Sequence, residues 1–227
     1  DYNIAIGTGA LGGATTADGI DKNIAIGYGT MGGTNAGAEG NTAVGHSALA
    51  GDMTSAADQN TAIGKQAGTS ITTATENTFI GSEAGLLATT SSYNTAVGYQ
   101  ALGAQVAGAA GNVAIGTGAM STANNSGTDY NVAIGAYALD ATSTNAQAGN
   151  IAIGYASLTA LTTGTGNLAI GYQALTACTD GGTNLAIGYQ AGLAINGGTD
   201  NVCIGYKAGD RIAETNANTL VGNGAFG

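Results

Sequence analysis

The chain has 227 residues, including 41 glycines and no proline or tryptophan, and only 8% of its residues are charged. Its 14 acidic and four basic residues give a net charge of −10, which excludes the basic surface of a nucleic-acid-binding protein. No apolar run reaches the roughly 18 residues of a membrane-spanning helix, so we expect no membrane insertion.

A nine-residue pattern organises the chain and is clearest at 167–175, Asn-Leu-Ala-Ile-Gly-Tyr-Gln-Ala-Leu. The pattern occurs thirteen times at spacings of 17 to 20 residues, and its leading asparagines are Asn3, Asn23, Asn41, Asn60, Asn77, Asn94, Asn112, Asn131, Asn150, Asn167, Asn184, Asn201 and Asn218. Self-similarity at this period predicts a solenoid in which each coil packs on the next. We therefore expect residues 1–227 to form a single repeat domain, as a segment of a longer fibrous protein.

Positions are numbered here from the asparagine of each copy, and two of them never vary: position one is Asn and position five is Gly. The Asn amides are expected to bond to identical amides in the coils above and below. The glycine is expected to supply a positive φ or a close backbone approach, whereas linker glycines such as Gly164 should tolerate substitution better. The residues that represent this structural ladder are Asn112, Asn131, Asn150, Asn167, Asn184, Gly116, Gly135, Gly154, Gly171 and Gly188.

Positions two to four predict a three-residue strand, with Ile, Thr, Val or Leu first, usually Ala second, and Ile or Val third. Because side chains alternate along a strand, positions two and four share one face and position three takes the other. Both faces are apolar, so one should enter the core of the coil and the other should pack on neighbouring chains. The candidate partner-facing surface is the position-three column Ala114, Ala133, Ala152, Ala169 and Ala186, while the position-two column, with Thr42, Thr61, Thr78 and Thr95, is interpreted as core.

The rest of each coil is predicted to close the core and to absorb changes in length. Position eight is usually Ala and position nine is Leu, Met, Phe or Gly, which predicts a second short strand or a corner. The linkers, such as 162–166, carry all the length variation and should form one exposed ridge. At about 4.8 Å per coil, thirteen coils predict a rod roughly 60 Å long.

Tyrosines hold position six in four consecutive coils, each 17 residues from the next. An in-register column places their rings roughly 5 Å apart, beside glutamines at position seven. Two interpretations are open, a carbohydrate platform and a structural ladder that shields the corner of the coil. The candidate glycan or surface contacts are Tyr155, Tyr172, Tyr189, Tyr206, Gln173 and Gln190.

Residues for catalysis do not form a recognisable set. Acidic residues scatter over the coil positions, and only Asp58 and Glu76 are expected to lie close, in an exposed linker. His46 is the single histidine and has no companion nucleophile or ligand. We therefore predict no catalytic site and no enzyme activity.

Cofactor and metal sites are also not expected. Cys178 and Cys203 occupy different positions in the repeat, so they should not pair, and Cys203 should act as a small buried hydrophobe. The Gly- and Asp-rich turns at 179–182 and 197–200 leave calcium as the one alternative, although their aspartates do not share a coil position.

The pattern Asn-x-Ala-Ile-Gly-x-x-Ala, as in 131–138, resembles the head repeat of trimeric autotransporter adhesins and also the repeats of bacteriophage tail-fibre proteins. The adhesin resemblance implies a left-handed parallel β-roll that assembles as a homotrimer with its first strand facing the three-fold axis. Adhesin heads have a shorter period of about 14 residues. The Gly-Tyr-Gln-Ala-Leu element at 98–102 and 171–175 is more similar to the tail-fibre proteins.

The prediction is therefore an all-β protein, a parallel β-solenoid of about thirteen coils that forms a homotrimeric rod. As the resemblance implies, it would be an extracellular segment of a phage tail fibre, on a virion, that attaches to a glycan or protein receptor on a host surface. A bacterial adhesin head or another cell-surface filament is the alternative. An ice-binding solenoid with ranked threonines is a third function, disfavoured because the threonine column is interpreted as core.

Overall fold

The computed structural model describes residues 2–13, 19–105, 108–122, 127–141 and 147–226. Within these ranges the chain is all-β and winds into stacked coils, and each coil contributes one short strand to a common parallel sheet. The predicted parallel β-solenoid is therefore confirmed.

The strands follow the repeat from end to end. They are β1 Ile4–Ile6, β2 Ile24–Ile26, β3 Thr42–Val44, β4 Thr61–Ile63, β5 Thr78–Ile80, β6 Thr95–Val97, β7 Val113–Ile115, β8 Thr128–Asp129, β9 Val132–Ile134, β10 Gln147–Ala148, β11 Ile151–Ile153, β12 Leu168–Ile170, β13 Leu185–Ile187, β14 Val202–Ile204 and β15 Thr219–Val221. In the described part of the chain, β8 and β10 pair as a separate parallel sheet, and the other strands form one 13-stranded sheet in chain order.

The register of the large sheet is unaffected by linker length. Ile4 pairs with Ile24 across 20 residues, and Leu168 pairs with Leu185 across 17. Every strand thus places equal repeat positions side by side, so the linkers absorb the extra residues, as the sequence predicts. A feature at one position therefore becomes a continuous column along the stack.

The strands place position three inside the coil. Ala114, Ala133, Ala152, Ala169 and Ala186 are all fully buried within the single chain. The expectation that this column faces a partner chain was wrong. The coil is narrow, and the side chains of positions eight and nine also enter its interior, so only a small residue fits at position three in most coils.

Positions two and four face outward instead. In β12 and β13, for example, the outer residues are half-buried and the central alanine is buried. Thr42, Thr61, Thr78 and Thr95 are likewise half-buried on this outer side. The interpretation of the threonine column as core was therefore also wrong.

The segment after the strand forms a corner rather than a second strand. Positions seven and nine have left-handed backbone, with φ of 53° at Gln173 and 51° at Leu175. Their N–H groups point in opposite axial directions: Gln173 donates to the Tyr155 carbonyl at 2.9 Å, and Leu175 donates to the Ala191 carbonyl at 3.0 Å. Bonds between coils thus continue through the corner and offset its unfavourable conformation.

Core volume is balanced between positions three and nine. Phe79 is fully buried at position three, and position nine is glycine both in its own coil and in the preceding one. A Cβ added to Gly85 would lie 2.5 Å from the Phe79 ring, and one on Gly68 would lie 3.1 Å from it. The large ring therefore occupies space that Leu or Met fills in other coils.

Candidate functional site

The asparagine column forms a hydrogen-bonded ladder inside the stack. Both the backbone N–H and Nδ2 of Asn184 donate to Oδ1 of Asn167, at 3.0 and 3.1 Å. Nδ2 of Asn184 also donates to the carbonyl of Gly198 in the next linker, at 2.7 Å. The same arrangement brings together Asn112, Asn131, Asn150 and Asn167. Each amide thus ties together three successive coils.

The glycine column beside it is required for two reasons at once. Gly171 has φ of +139°, and a Cβ there would lie 2.2 Å from the carbonyl oxygen of Gly188. The backbones of neighbouring coils therefore meet where no side chain fits. Gly116, Gly135, Gly154 and Gly188 repeat this geometry, with φ between +129° and +137°.

The predicted tyrosine column is stacked. Ring centroids are 5.2 Å apart for Tyr155 and Tyr172, 5.2 Å for Tyr172 and Tyr189, and 5.3 Å for Tyr189 and Tyr206. The interplanar angles are 14°, 5° and 11°. Tyr137 closes one end with an edge contact at 6.1 Å. The faces of these rings therefore lie against each other.

Ring edges and polar groups form the outer surface of this column. Tyr172 is 43% exposed and Tyr189 is 42% exposed, although their faces are covered by neighbouring rings. Next to them Gln190 Nε2 donates to Gln173 Oε1 at 2.9 Å. A sugar that contacts the stacked column would meet phenol edges and amides, and the role of these residues in glycan contact stays a prediction.

Two other tyrosines at position six differ from this column. Tyr28 stacks on His46 with a centroid distance of 5.2 Å, so these two rings form an aromatic pair. Tyr99 lies between Ser82 and Thr117 in the same column, and it is 48% exposed. Among the described residues no aromatic ring packs on Tyr99. Its two neighbours in the column are therefore small polar side chains rather than rings.

The outward side of the large sheet, formed by positions two and four and named here the outer sheet face, is apolar at position four along its whole length and has threonine at position two in five coils. Position four is Ile or Val in every coil, and Ile63, Ile80 and Ile115 are 37–40% exposed. The position-four residues are Ile6, Ile26, Val44, Ile63, Ile80, Val97, Ile115, Ile134, Ile153, Ile170, Ile187, Ile204 and Val221. With about 4.8 Å per coil, this strip covers roughly 600 Å², at the upper end for a monomeric surface.

The structure contains a column of acidic side chains that was not predicted from the sequence. Asp21, Glu39 and Asp58 each lie two residues before an Asn, so they stack in consecutive coils. Lys22 Nζ lies 3.4 Å from Asp21 and 3.6 Å from Glu39. Counting backward from each Asn would have revealed the column. Glu76 belongs to the adjacent column, where its N–H donates to the backbone carbonyl of Asp58 at 3.0 Å.

These carboxylates cap backbone groups of the preceding coil. Asp58 Oδ1 accepts from the N–H of Glu39 at 2.7 Å, and Asp21 Oδ1 accepts from the N–H of Tyr2 at 2.6 Å. The bond from Tyr2 is the main cause that lowers the pKa of Asp21, with a further contribution from Lys22. The acids therefore have a structural role in the linkers.

The described residues include no cluster of three or more His, Cys, Asp or Glu side chains that could hold a metal ion. Asp180 accepts from Thr179 Oγ1 at 3.2 Å, and Asp200 accepts from Thr183 Oγ1 at 2.6 Å. These two aspartates lie in different columns. The turns at 179–182 and 197–200 thus offer calcium one carboxylate each rather than a shared set.

The two cysteines, both within the described ranges, are free and buried. The prediction that they do not pair and that Cys203 is buried is confirmed, while burial of Cys178 was not predicted. Burial raises the pKa of Cys178 to about 11 and also raises the pKa of Cys203. A neutral, buried thiol is a poor nucleophile. Both side chains therefore act as core residues.

No helix in the described ranges is both long and apolar enough to cross a membrane. Comparison of the chain with known protein families, with curated proteins and with solved structures finds no match.

Proposed function

We propose that the chain is a shaft or head segment of an extracellular homotrimeric fibre, a phage tail fibre that attaches a virion to a host surface. The observation that carries the proposal is the outer sheet face. A strip of half-exposed Ile and Val that runs the length of the stack is costly in water and is typical of an interface.

The shape of the strip favours three copies around a common axis. The face is one strand wide and follows the 13-stranded sheet from β1 to β15. Two flat strips packed together would still leave their margins in water, whereas three strips around an axis cover one another on both sides. Each chain would divide its strip of roughly 600 Å² between two partners, about 300 Å² for each, which is less than the roughly 800 Å² per partner of a standard interface, so the three chains must assemble together.

Trimeric packing also gives the rod its mechanism. Stacked hydrogen bonds supply length and stiffness, while three copies of any surface site act together at high effective concentration. Attachment then needs only weak binding at each site. A glycan or protein on the host surface is the expected receptor.

The oligomeric proposal is tested by mass. Light scattering should give three times the 21.7 kDa chain mass. Ile170→Glu with Ile187→Glu should dissociate the assembly, because charges would face one another in an apolar interface. The matched control is Thr163→Glu with Thr165→Glu, which adds the same charge at exposed linker positions. A monomeric parent in dilute native buffer would contradict the proposal.

The attachment proposal is tested separately, by binding of the labelled chain to intact bacterial cells. A bacterial adhesin head or another cell-surface filament would have the same outer sheet face. The sequence that flanks this segment distinguishes them: a membrane-anchor domain indicates an adhesin, and a virion-attachment domain indicates a phage fibre.

Ice binding is a second candidate because the threonine column faces outward. Thr42, Thr61, Thr78 and Thr95 are in register on four consecutive strands, next to the position-four column of Ile and Val. The column then changes to Val, Ile and Leu, so the regular array is short. Ice recrystallisation assays on the isolated rod test this function, and Thr61→Lys with Thr78→Lys should abolish any activity.

A further inference from the structure

We infer that the rod has a carbohydrate-binding site in the coil of β6, built from the cleft that Gln100 lines and from the ring of Tyr99, which precedes Gln100 in the chain. This inference rests on the proposed attachment function and assigns it a position and a ligand class. The ligand is a neutral pyranose oligosaccharide, and the site is distinct from the stacked tyrosine column.

The cleft arises because one coil has small residues where its neighbours have larger ones. At positions ten and eleven the coil of β6 has Gly103 and Ala104. The preceding coil has Leu86 and Leu87 there, and the following coil has Ser121 and Thr122. Because the register is constant, the missing side chains leave a cleft of about 290 Å³, lined by these six residues and Gln100.

The floor of the cleft is fixed backbone. The Leu87 N–H donates to the Gly103 carbonyl at 3.1 Å, and the Ala104 N–H donates to the Ser121 carbonyl at 2.8 Å. A ligand therefore meets a preformed surface and pays little for ordering it. Leu86 and Leu87 supply an apolar wall.

The opposite wall is polar. Ser121 Oγ donates to Asp140 Oδ1 at 2.6 Å, and Thr122 Oγ1 donates to the Asp140 carbonyl at 3.1 Å. With their hydrogens directed at Asp140, both hydroxyls keep lone pairs that can accept from a ligand. One apolar and one hydroxyl-bearing wall match the two kinds of surface that a pyranose presents.

Gln100 connects the cleft to the aromatic ring. Its N–H donates to the Ser82 carbonyl at 3.1 Å, and its Nε2 donates to Glu83 Oε2 at 2.8 Å. The amide and carboxylate pair is held in place and presents both donors and acceptors to sugar hydroxyls. Tyr99 precedes it in the chain, is 48% exposed and stacks on no other ring among the described residues, so C–H groups of a sugar can pack on it.

Charge selects the class of sugar. The residues that line the cleft include no lysine or arginine, and Glu83 is paired with Gln100 at its edge. The whole chain carries a net charge of −10. An acidic glycan would be repelled, so the site favours neutral or amino-substituted oligosaccharides.

The contrast with the stacked tyrosine column supports the placement of the site at Tyr99. Tyr155, Tyr172, Tyr189 and Tyr206 use their faces on each other, at spacings too short to admit a sugar between rings. Tyr99 has Ser82 and Thr117 on either side in its column, and the next residue, Gln100, lines the cleft. Among the described tyrosines at position six, Tyr99 is therefore the one that is not already stacked on another ring.

The test uses the full chain and a defined set of trisaccharides: maltotriose, cellotriose, chitotriose and mannotriose, with sialyllactose as the acidic comparison. Saturation-transfer NMR at millimolar concentration should detect at least one neutral trisaccharide. Tyr99→Ala should weaken that binding about tenfold, and Tyr99→Phe should retain it because the ring faces remain. Ala104→Leu should abolish binding by filling the cleft with the residue that the preceding coil has at this position.

Tyr130→Ala, at a linker tyrosine that is 72% exposed, is the matched control and should bind as the parent does. Every variant is compared with the parent by circular dichroism and melting, so that loss of binding in a folded rod is the readout. The inference is overturned if no neutral trisaccharide binds, if sialyllactose is preferred, or if Tyr130→Ala weakens binding as much as Tyr99→Ala. A trimer that binds cells but none of these sugars would reject this site and leave the fibre proposal standing.

Discussion

The coils of β2 to β7 and those of β11 to β15 share one framework but differ in several of the side chains attached to it. The second group is regular, with Asn spacings of 17 residues, stacked tyrosines and a glutamine pair. The first group has variable linkers, threonines on the outer sheet face, an acidic column and the isolated Tyr99. Asn at position one, Ile or Val at position four and Gly at position five are common to both, so these columns belong to the shared framework.

This comparison separates the framework positions, which are the same in both groups, from the variable positions, which differ between them. A substitution at a framework position should lower the stability of either group equally, whereas a substitution at a variable position should lower stability only where its residue type recurs in consecutive coils. The expected effects decrease from the glycine column to the asparagines, the tyrosines and the acids.

The largest effect is expected at position five. Gly171→Ala should lower the free energy of unfolding by about 2–5 kcal/mol, because a Cβ would clash with the next backbone and because φ of +139° disfavours any side chain. Gly98→Ala, in the other group, should cost a similar amount. Chemical denaturation measures both.

The control for these glycines is Gly166→Asn. Gly166 has φ of +67° and an open surrounding, and the next coil already has Thr183 at this position. Gly164 is unsuitable, contrary to the expectation from sequence, because a Cβ there would lie 2.0 Å from the Gly181 carbonyl oxygen. If Gly166→Asn costs as much as Gly171→Ala, the framework role of position five is refuted.

A smaller loss is expected in the asparagine ladder. Asn167→Ala removes the acceptor for two donors of Asn184 and the donor to the Gly181 carbonyl, all in a buried position. Leaving such groups unpaired should cost about 2–3 kcal/mol. The comparison variant is Asn216→Ala, which removes an exposed cap on the Thr199 N–H and should cost less than about 1 kcal/mol. Equal melting temperatures would show that the ladder is not a source of stability.

The sequence predicted those features in which chemistry allows one role at a constant position. Asn and Gly in every copy indicated the ladder and the tight approach, and a constant register made the tyrosine spacing predictable. The direction of the strand faces was not predictable in this way. Both faces are apolar, and alternation shows only that positions two and four lie together; the side chains from positions eight and nine decide which face is inside.

The acidic column and the cleft were not predicted from the sequence, for different reasons. Asp21, Glu39 and Asp58 look scattered when counted from the preceding Asn, because linkers vary in length, and align only relative to the following one. The cleft at Gly103 and Ala104 depends on the size difference between three coils at variable positions. A consensus sequence of the repeat does not show that size difference, because it averages over all coils.

The next prediction tests whether the tyrosines at position six stabilise the rod only where they stack in consecutive coils. Tyr172→Ala should lower the free energy of unfolding by about 1 kcal/mol more than Tyr99→Ala, because it removes two stacked contacts. A double-mutant cycle of Tyr172→Ala and Tyr189→Ala should give a coupling of about 0.5–1.5 kcal/mol. A coupling near zero would mean that the stack is adopted without contributing to stability.

The smallest effect concerns the acidic caps and appears only as a dependence on pH. The bond from the Tyr2 N–H holds the pKa of Asp21 below its ordinary value. A carboxyl with a lowered pKa in the folded state stabilises that state above the unfolded-state pKa of about 4, and this contribution is lost as pH falls through the folded value. Acidification below about pH 4 should therefore loosen the coil of β1.

The corresponding cap in the coil of β15 is Asn216, which accepts from the Thr199 N–H at 2.7 Å and does not titrate. NMR amide shifts of Tyr2 and Thr199 across this range should move for Tyr2 alone, and Asp21→Asn should remove that movement because an amide oxygen still accepts. Movement of both amides would assign the change to the whole rod rather than to the acidic cap.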